Sequence, residues 1–189
     1  HNRFHNESAG FFGFFECTED QAAASALLDA ARGWLRRQGA DVVRGPVNPS
    51  TNYECGLLVE GFDSSPFVMM TYNPPYYAGL LEGAGGRKIK DLYAYTANPD
   101  TILPEKVQCV AERALASARM TIRPIRMQMF REDVERVWEV YNSAWQKNWG
   151  FVPVTREEFW FLAQEMKPLL VPDLVLLGEV DGRVAGFAL

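Results

Sequence analysis

Apolar residues in the first part of the chain follow two different periods. The aromatic run at residues 11–16 predicts a buried strand, and the short apolar run at 41–44 predicts another. Between them, apolar side chains recur every three or four positions from 21 to 38, which predicts a helix. Thr18 and Gln21 have the spacing of a capping box at its start. The rhythm of strand, helix and strand indicates an α/β layer.

The stretch up to residue 96 has weaker patterns. Turn-forming residues precede residues 53–60, which predict a short helix. Residues 66–72 predict an apolar strand that Pro74 and Pro75 end, residues 76–82 a second short helix, and residues 88–96 a strand.

The pattern restarts after a junction near residues 98–100. Predicted helices cover residues 104–117 and 130–147, with a strand at 121–127 between them. Thr155 and Glu158 have the spacing of a capping box, which predicts a helix that begins there and runs to about residue 167.

The last predicted element is a hairpin. Apolar strands at 174–180 and 183–189 flank Asp181-Gly182, a strong signal for a two-residue turn. We expect the first and last strands either to have neighbours outside this sequence or to complete each other in one sheet. Exposed strand edges also predict a possible homodimer by edge pairing.

Composition narrows the range of partners. The net charge of −5 and the lack of a basic cluster argue against a nucleic-acid partner. No apolar run reaches the length of a spanning helix and no export signal is visible, so we expect a cytoplasmic protein with no membrane partner. Cys17, Cys55 and Cys109 are predicted to be reduced core thiols, and no metal site is expected.

Several motifs resemble the GNAT superfamily of N-acyltransferases. Residues 44–52, 56–62 and 72–77 resemble a bacterial family of tandem GNAT-like proteins, as do Asn142-Ser143-Ala144-Trp145 and the residues at 148–153. The resemblance implies an α/β fold with a mixed sheet flanked by helices. Residues 1–98 would be the back half of one module, 99–119 a connecting helix, and 120–189 the front half of the next. The two halves could also form one composite sheet, as in a circular permutant.

The resemblance also implies an activity. It is transfer of an acetyl or other acyl group from acetyl-CoA to the amine of a small molecule or peptide, with little activity from this fragment alone. The loop at residues 17–22 departs from the family pattern, because Glu19 and Asp20 stand where a diphosphate would bind. Two alternatives stay open: a non-catalytic ligand-binding or structural module, and an aminoacyl or peptidyl transferase.

Two groups of residues are candidates for the donor side of that reaction. By the resemblance, Tyr76 and Tyr77 are candidate general acids, since a phenol can protonate a leaving thiolate. Asn48, Asn52 and Asn73 are candidates for binding the cofactor through hydrogen bonds. Core packing of the tyrosines and local turn bonds of the asparagines are the alternatives.

A third group is aromatic. Trp145, Trp149 and Phe151 surround a turn between two predicted helices, where the resemblance implies the acceptor site. They are candidates for binding the substrate, and the alternative is an aromatic corner that locks the helix pair.

Overall fold

The computed structural model describes residues 1–96, 98, 100, 103–116 and 119–189. The chain forms two compact units. Unit 1 contains His1–Ala94 together with Gly150–Val152, and unit 2 contains Tyr95–Trp149 and Pro153–Leu189.

Unit 1 is built around a strand-helix-strand element. Strands β1 and β2 are parallel and in register from Ala9 opposite Val42 to Phe11 opposite Arg44, so the predicted order of strand, helix and strand is confirmed. The predicted bounds of the first strand are wrong, because β1 ends at Phe11 and the φ of +50° at Phe14 lies outside the extended range. A second, antiparallel pair joins β3 to β4. The elements in chain order are α1 (Asn2–His5), β1 (Ala9–Phe11), α2 (Gln21–Arg37), β2 (Val42–Arg44), β3 (Val47–Asn48), β4 (Glu54–Cys55) and α3 (Tyr77–Gly83).

Helix α2 forms where its periodicity predicted. Its buried residues are Ala24, Leu28 and Leu35, spaced so that they share one face. The predicted cap is wrong, because the side chain of Asp20, rather than Thr18, accepts hydrogen bonds from the first turn. An aspartate satisfies these backbone N–H groups and also carries the charge that the helix dipole favours there.

Three predicted elements of unit 1 are absent from the described residues. Residues 53–60 form no helix, because Gly56 has a φ of +84°, outside the helical range. Residues 66–72 and 88–96 form no strands. An alternating pattern becomes a strand only when a neighbouring backbone pairs with it, and sequence periodicity does not supply that partner.

Unit 2 packs helices against a three-stranded antiparallel sheet in the order β5-β6-β7. Its core contains Ile125, Phe130, Val134, Val175 and Leu177. The elements are α4 (Glu105–Leu115), β5 (Met120–Pro124), α5 (Phe130–Trp145), α6 (Arg156–Met166), β6 (Leu176–Val180) and β7 (Arg183–Ala188), with 3-10 turns at Met127–Met129, Lys167–Leu169 and Pro172–Leu174.

Two local predictions in unit 2 are confirmed. The Thr155 side chain accepts a hydrogen bond from the Glu158 backbone at the start of α6. At the hairpin, Asp181 and Gly182 have φ values of 50° and 73°, as a two-residue turn with the twist of its strands requires.

The composite-sheet prediction is wrong. Strand β1 pairs with β2, whereas β7 pairs with β6 in a different sheet. The Asp181-Gly182 turn gives β7 a local partner, and the crossover through α2 gives β1 another. The mixed α/β class is confirmed, while GNAT membership, the module boundaries and edge-mediated self-association stay predictions. Cys17 and Cys55 are half-buried, but Cys109 is exposed, so its predicted place in the core is wrong.

Among the residues described, no helix is both long enough and apolar enough to cross a bilayer.

Candidate functional site

The carboxyl ends of β1 and β2 lie at one edge of unit 1, which makes this edge the candidate site. Beyond the strands, the Phe12 N–H group donates to the Arg44 carbonyl at 3.1 Å. The Val47 N–H group then donates to the Phe12 carbonyl at 2.9 Å. Ligands of open α/β sheets bind outside the carboxyl ends of parallel strands.

Two glycines allow the chains to approach closely at this edge. A Cβ atom on Gly13 would lie 2.0 Å from the Val47 carbonyl oxygen, and one on Gly45 would lie 2.4 Å from the Phe12 carbonyl oxygen. A side chain at either position would therefore force the loops apart. These contacts fix the path of the backbone that leads into Phe14.

Phe14 presents an aromatic side chain to solvent from a strained backbone. Its side chain is 73% exposed and its φ is 50°, a conformation that residues other than glycine seldom adopt. Its N–H group donates to Oδ1 of Asn48 at 2.6 Å. Because Oδ1 of Asn48 faces the Phe14 N–H group, the Nδ2 group of Asn48 points away from Phe14. No described residue accepts a hydrogen bond from this Nδ2 group.

The two candidate tyrosines hold the loop that leads into α2. The Tyr77 hydroxyl donates to Oε2 of Glu16 at 2.7 Å and accepts from the Cys17 N–H group at 3.1 Å. The Tyr76 hydroxyl donates to the Cys17 carbonyl at 3.1 Å. Both side chains therefore position Glu16 and Cys17, and a role as general acids stays a prediction.

The buried position of Tyr77 affects its acidity. Only 3% of the residue is exposed, and it packs edge-on against Phe15. Burial, followed by the hydrogen bond to Glu16, raises the pKa of Tyr77. The phenol therefore keeps its proton and fixes one oxygen of the exposed Glu16 carboxylate.

Asn73 and Asn52 bond to the backbone of unit 1. The buried Asn73 accepts from the Leu58 N–H group at 2.7 Å, and its Nδ2 group donates to the Leu58 and Pro74 carbonyls. The Nδ2 group of Asn52 donates to the Val152 carbonyl at 2.6 Å. Cofactor binding by either residue stays a prediction, and of the three asparagines only Asn48 lies at the candidate edge.

The N-terminus of α2 does not fit the diphosphate of CoA. The Asp20 carboxylate already accepts hydrogen bonds from the N–H groups of Ala22 and Ala23, at 2.8 and 3.2 Å. Glu16 and Glu19 add negative charge, and no lysine or arginine occurs from residue 4 to residue 31. A diphosphate would have to displace the cap and approach three carboxylates.

The three aromatic candidates lie in different surroundings. Trp145 and Trp149 are partly exposed in unit 2, where Trp145 stacks on Tyr141 with ring centroids 5.8 Å apart. Phe151 is buried in unit 1, and its carbonyl accepts a 2.6 Å hydrogen bond from Nε2 of His5. Contact of these residues with a substrate stays a prediction.

The loop after α5 is fixed by side chains from that helix. Asn142 bonds to both the N–H and the carbonyl of Val154, at 2.9 and 3.0 Å, and Nε1 of Trp138 donates to the same carbonyl at 2.7 Å. These bonds set the entry into α6.

A buried charge cluster in unit 2 was not predicted. Asp133 is fully buried and accepts paired hydrogen bonds from Arg123, at 2.8 and 2.9 Å, and further bonds from the side chain and backbone of Arg126. Arg123 also bonds to Glu179 at 2.9 Å. Burial alone would raise the pKa of Asp133, but the hydrogen bonds from Arg126 and Arg123 outweigh it and hold that pKa well below 3.8.

Glu16, Phe14 and Asp133 were all missed as candidates. Asp133 had a visible signal, because it interrupts the apolar stripe of α5 between Phe130 and Val134. Glu16 had a weaker one, as the carboxylate that follows the first strand.

The fold is a mixed α/β arrangement with small sheets, and sequence comparison relates it to bacterial proteins. The chain is 35% identical over 188 residues to protein YghO of Escherichia coli, covering 99% of this chain and 48% of that protein. It is 38% identical over 177 residues to the bacterial ceramide synthase of Caulobacter vibrioides, covering 94% of this chain and 46% of that protein. The chain thus spans about half the length of these curated relatives. No family model and no solved structure matches it.

Proposed function

We propose that this chain is part of an N-acyltransferase that joins a long-chain acyl group to the amine of a long-chain amino alcohol. The observation that carries the proposal is the similarity to a protein named bacterial ceramide synthase along nearly all of this chain. A ceramide is an amide of a fatty acid and a long-chain amino alcohol, so its synthesis is N-acylation. The GNAT-like motifs support the same reaction class.

The carboxyl edge of β1 and β2 supplies three kinds of group for this reaction. Phe14 offers apolar surface to a hydrocarbon chain. The Nδ2 group of Asn48 is a donor for the acyl carbonyl oxygen, whose negative charge grows as the amine attacks. Glu16 is the carboxylate that accepts the proton lost by the amine nitrogen when the C–N bond of the amide forms. The C–S bond of the acyl thioester breaks in the same exchange, and the thiolate leaves as the free thiol after taking up that proton. Tyr77 positions Glu16 through the hydrogen bond from its hydroxyl.

The acyl donor is an activated acyl group such as an acyl-CoA. Because the N-terminus of α2 does not fit a diphosphate, that part of the donor would bind elsewhere in the protein. The acidic surroundings of Glu16 suit an ammonium group on the acceptor better than an anionic donor.

Mass spectrometry of the products tests the proposal. The purified full-length protein that contains this chain is incubated with a long-chain amino alcohol and either acetyl-CoA or a long-chain acyl-CoA, and amide formation is measured. We expect an amide of the long-chain acyl group. No amide from a folded sample would refute the activity and favour the non-catalytic alternative, to which the capped α2 terminus lends support.

A pair of variants tests the role of Glu16. Glu16→Gln keeps an oxygen for the Tyr77 hydroxyl but removes the base, so turnover should fall roughly 10²-fold or more. Glu19→Gln, an exposed carboxylate in the same loop, is the matched control and should keep wild-type turnover. Equal turnover in both variants would remove Glu16 from the mechanism.

A further inference from the structure

A hydrogen-bonded turn in unit 1 consists entirely of large apolar residues. The Met70 N–H group donates to the Phe67 carbonyl at 3.0 Å, which closes the turn Phe67-Val68-Met69-Met70. Phe67 and Val68 are 76% and 75% exposed, and both methionines are exposed as well. We call these four residues the apolar turn.

Turn chemistry does not account for this composition. Exposed turns use Gly, Asn, Asp, Ser and Pro, and the third position needs glycine or asparagine when its φ is positive. Met69 occupies that position with a φ of 63°. Within this chain, the apolar turn therefore combines a strained backbone with four exposed apolar side chains, where turn chemistry favours polar residues. Such local exceptions to folding rules are typical of functional sites.

The segment around the turn carries no charge. Between Asp63 and Glu82 the sequence has no Asp, Glu, Lys, Arg or His, and the next aromatic residue, Tyr72, is also exposed. Removing an ionised group from water costs several kcal/mol. A segment without such groups can move from water into an apolar environment without that cost. Tyrosine is also enriched at the boundary between lipid and water.

We propose that the apolar turn inserts into the surface of a lipid bilayer. The reason for such a contact rests on the proposed function, since long-chain amino alcohols and their amides dissolve in bilayers. With no basic residue in the segment and a net charge of −5, the contact is apolar rather than electrostatic. It therefore occurs on zwitterionic vesicles and changes little with salt. The prediction of no membrane partner rests on the absence of a spanning helix, which insertion into the bilayer surface does not require.

Vesicle flotation tests this inference without an enzyme assay. The purified protein is mixed with phosphatidylcholine vesicles, and the bound fraction is measured at low and high salt. The test variant is Phe67→Ser with Val68→Ser, and the matched control is Phe161→Ser with Leu169→Ser, two side chains of unit 2 that are also exposed. All four positions are at the surface, so the variants should fold.

We expect the wild type and the control to float equally. The turn variant should bind about a hundredfold less, since each buried apolar side chain contributes about a factor of ten and two are replaced. Failure of the wild type to float, or equal flotation of the turn variant, would overturn the inference. Light scattering showing that the turn variant instead loses self-association would assign the turn to a second copy, which also overturns it. Flotation without amide formation refutes the proposed function alone, and amide formation without flotation refutes the bilayer contact alone.

Discussion

Replacing Asp133 by asparagine should destabilise unit 2 more than any surface substitution. The change keeps the shape of the side chain and removes its charge. It leaves the guanidinium groups of Arg123 and Arg126 facing an amide whose NH₂ group cannot accept their hydrogen bonds. Glu179 still pairs with Arg123 at 2.8 Å, so part of the cluster survives.

The size of the effect follows from the burial of the cluster. Breaking a buried ion pair by removing one partner costs about 3–5 kcal/mol. Both arginines keep contact with water, so we expect the lower end, about 3 kcal/mol. With a urea dependence of about 1.5 kcal/mol per M, the unfolding midpoint should fall by about 2 M. Tryptophan fluorescence reports this transition, because four of the five tryptophans, Trp138, Trp145, Trp149 and Trp160, lie in unit 2.

The loss of stability caused by this substitution should depend on pH. The folded-state pKa of Asp133 lies below its ordinary value of 3.8, so the ionised carboxylate stabilises the fold fully only above that pH. As pH falls below 3.8, the unfolded state gains protons first and this stabilisation is lost. The difference between the wild type and Asp133→Asn should therefore shrink between pH 5 and pH 2, a window set by that pKa.

Asp181→Asn is the matched control. Asp181 also pairs with an arginine of unit 2, Arg119, but both side chains are exposed, so water replaces the lost bonds. We expect no measurable shift of the midpoint. An Asp133→Asn midpoint within error of this control would show that the buried cluster contributes nothing to stability, and our reasoning would be wrong.

Three further predictions concern stability. Tyr77→Phe removes the donor to Glu16 and the acceptor for the partly buried N–H group of Cys17, and should lower the free energy of unfolding by about 1 kcal/mol in urea titrations. Gly13→Ala should prevent native folding of unit 1, visible as lost dispersion in NMR spectra, because its Cβ meets the Val47 carbonyl. Its control is Gly33→Ala within α2, where the Cβ would make an ordinary contact with Nη1 of Arg37 at 3.6 Å, and it should raise stability by up to about 1 kcal/mol. Asn142→Ala should lower stability by about 1–2 kcal/mol, with faster hydrogen exchange at the Val154 amide.

Elements whose sequence signal lies entirely within neighbouring residues could be predicted. Helix α2 has a long apolar period, α6 has its Thr155 cap, and the hairpin has Asp181-Gly182. Each signal depends only on neighbouring residues. The extended predictions at 66–72 and 88–96 failed because a strand needs a distant partner, which no local pattern encodes.

The candidate site was only partly predictable. Asn48 was a candidate for its amide and its place in a predicted turn, but its bond to Phe14 depends on the close approach that Gly13 and Gly45 allow. Glu16 is a candidate only because the hydroxyl of Tyr77, a residue more than sixty positions later, donates a hydrogen bond to its carboxylate. Pairings over such separations are set by the fold, so the sequence could supply the residue types but not the arrangement.

The division of the chain into two units has a consequence for the design of truncated forms. Gly150–Val152 belongs to unit 1 although its neighbours on both sides belong to unit 2. Its three carbonyl groups accept hydrogen bonds from Thr51, His5 and Asn52. A truncation that stops at Ala94 would strip all three acceptors from unit 1, so an expression boundary chosen along the linear sequence would yield an incomplete fold. A circularly permuted form of unit 1 that retains Gly150–Val152 would keep these three acceptors.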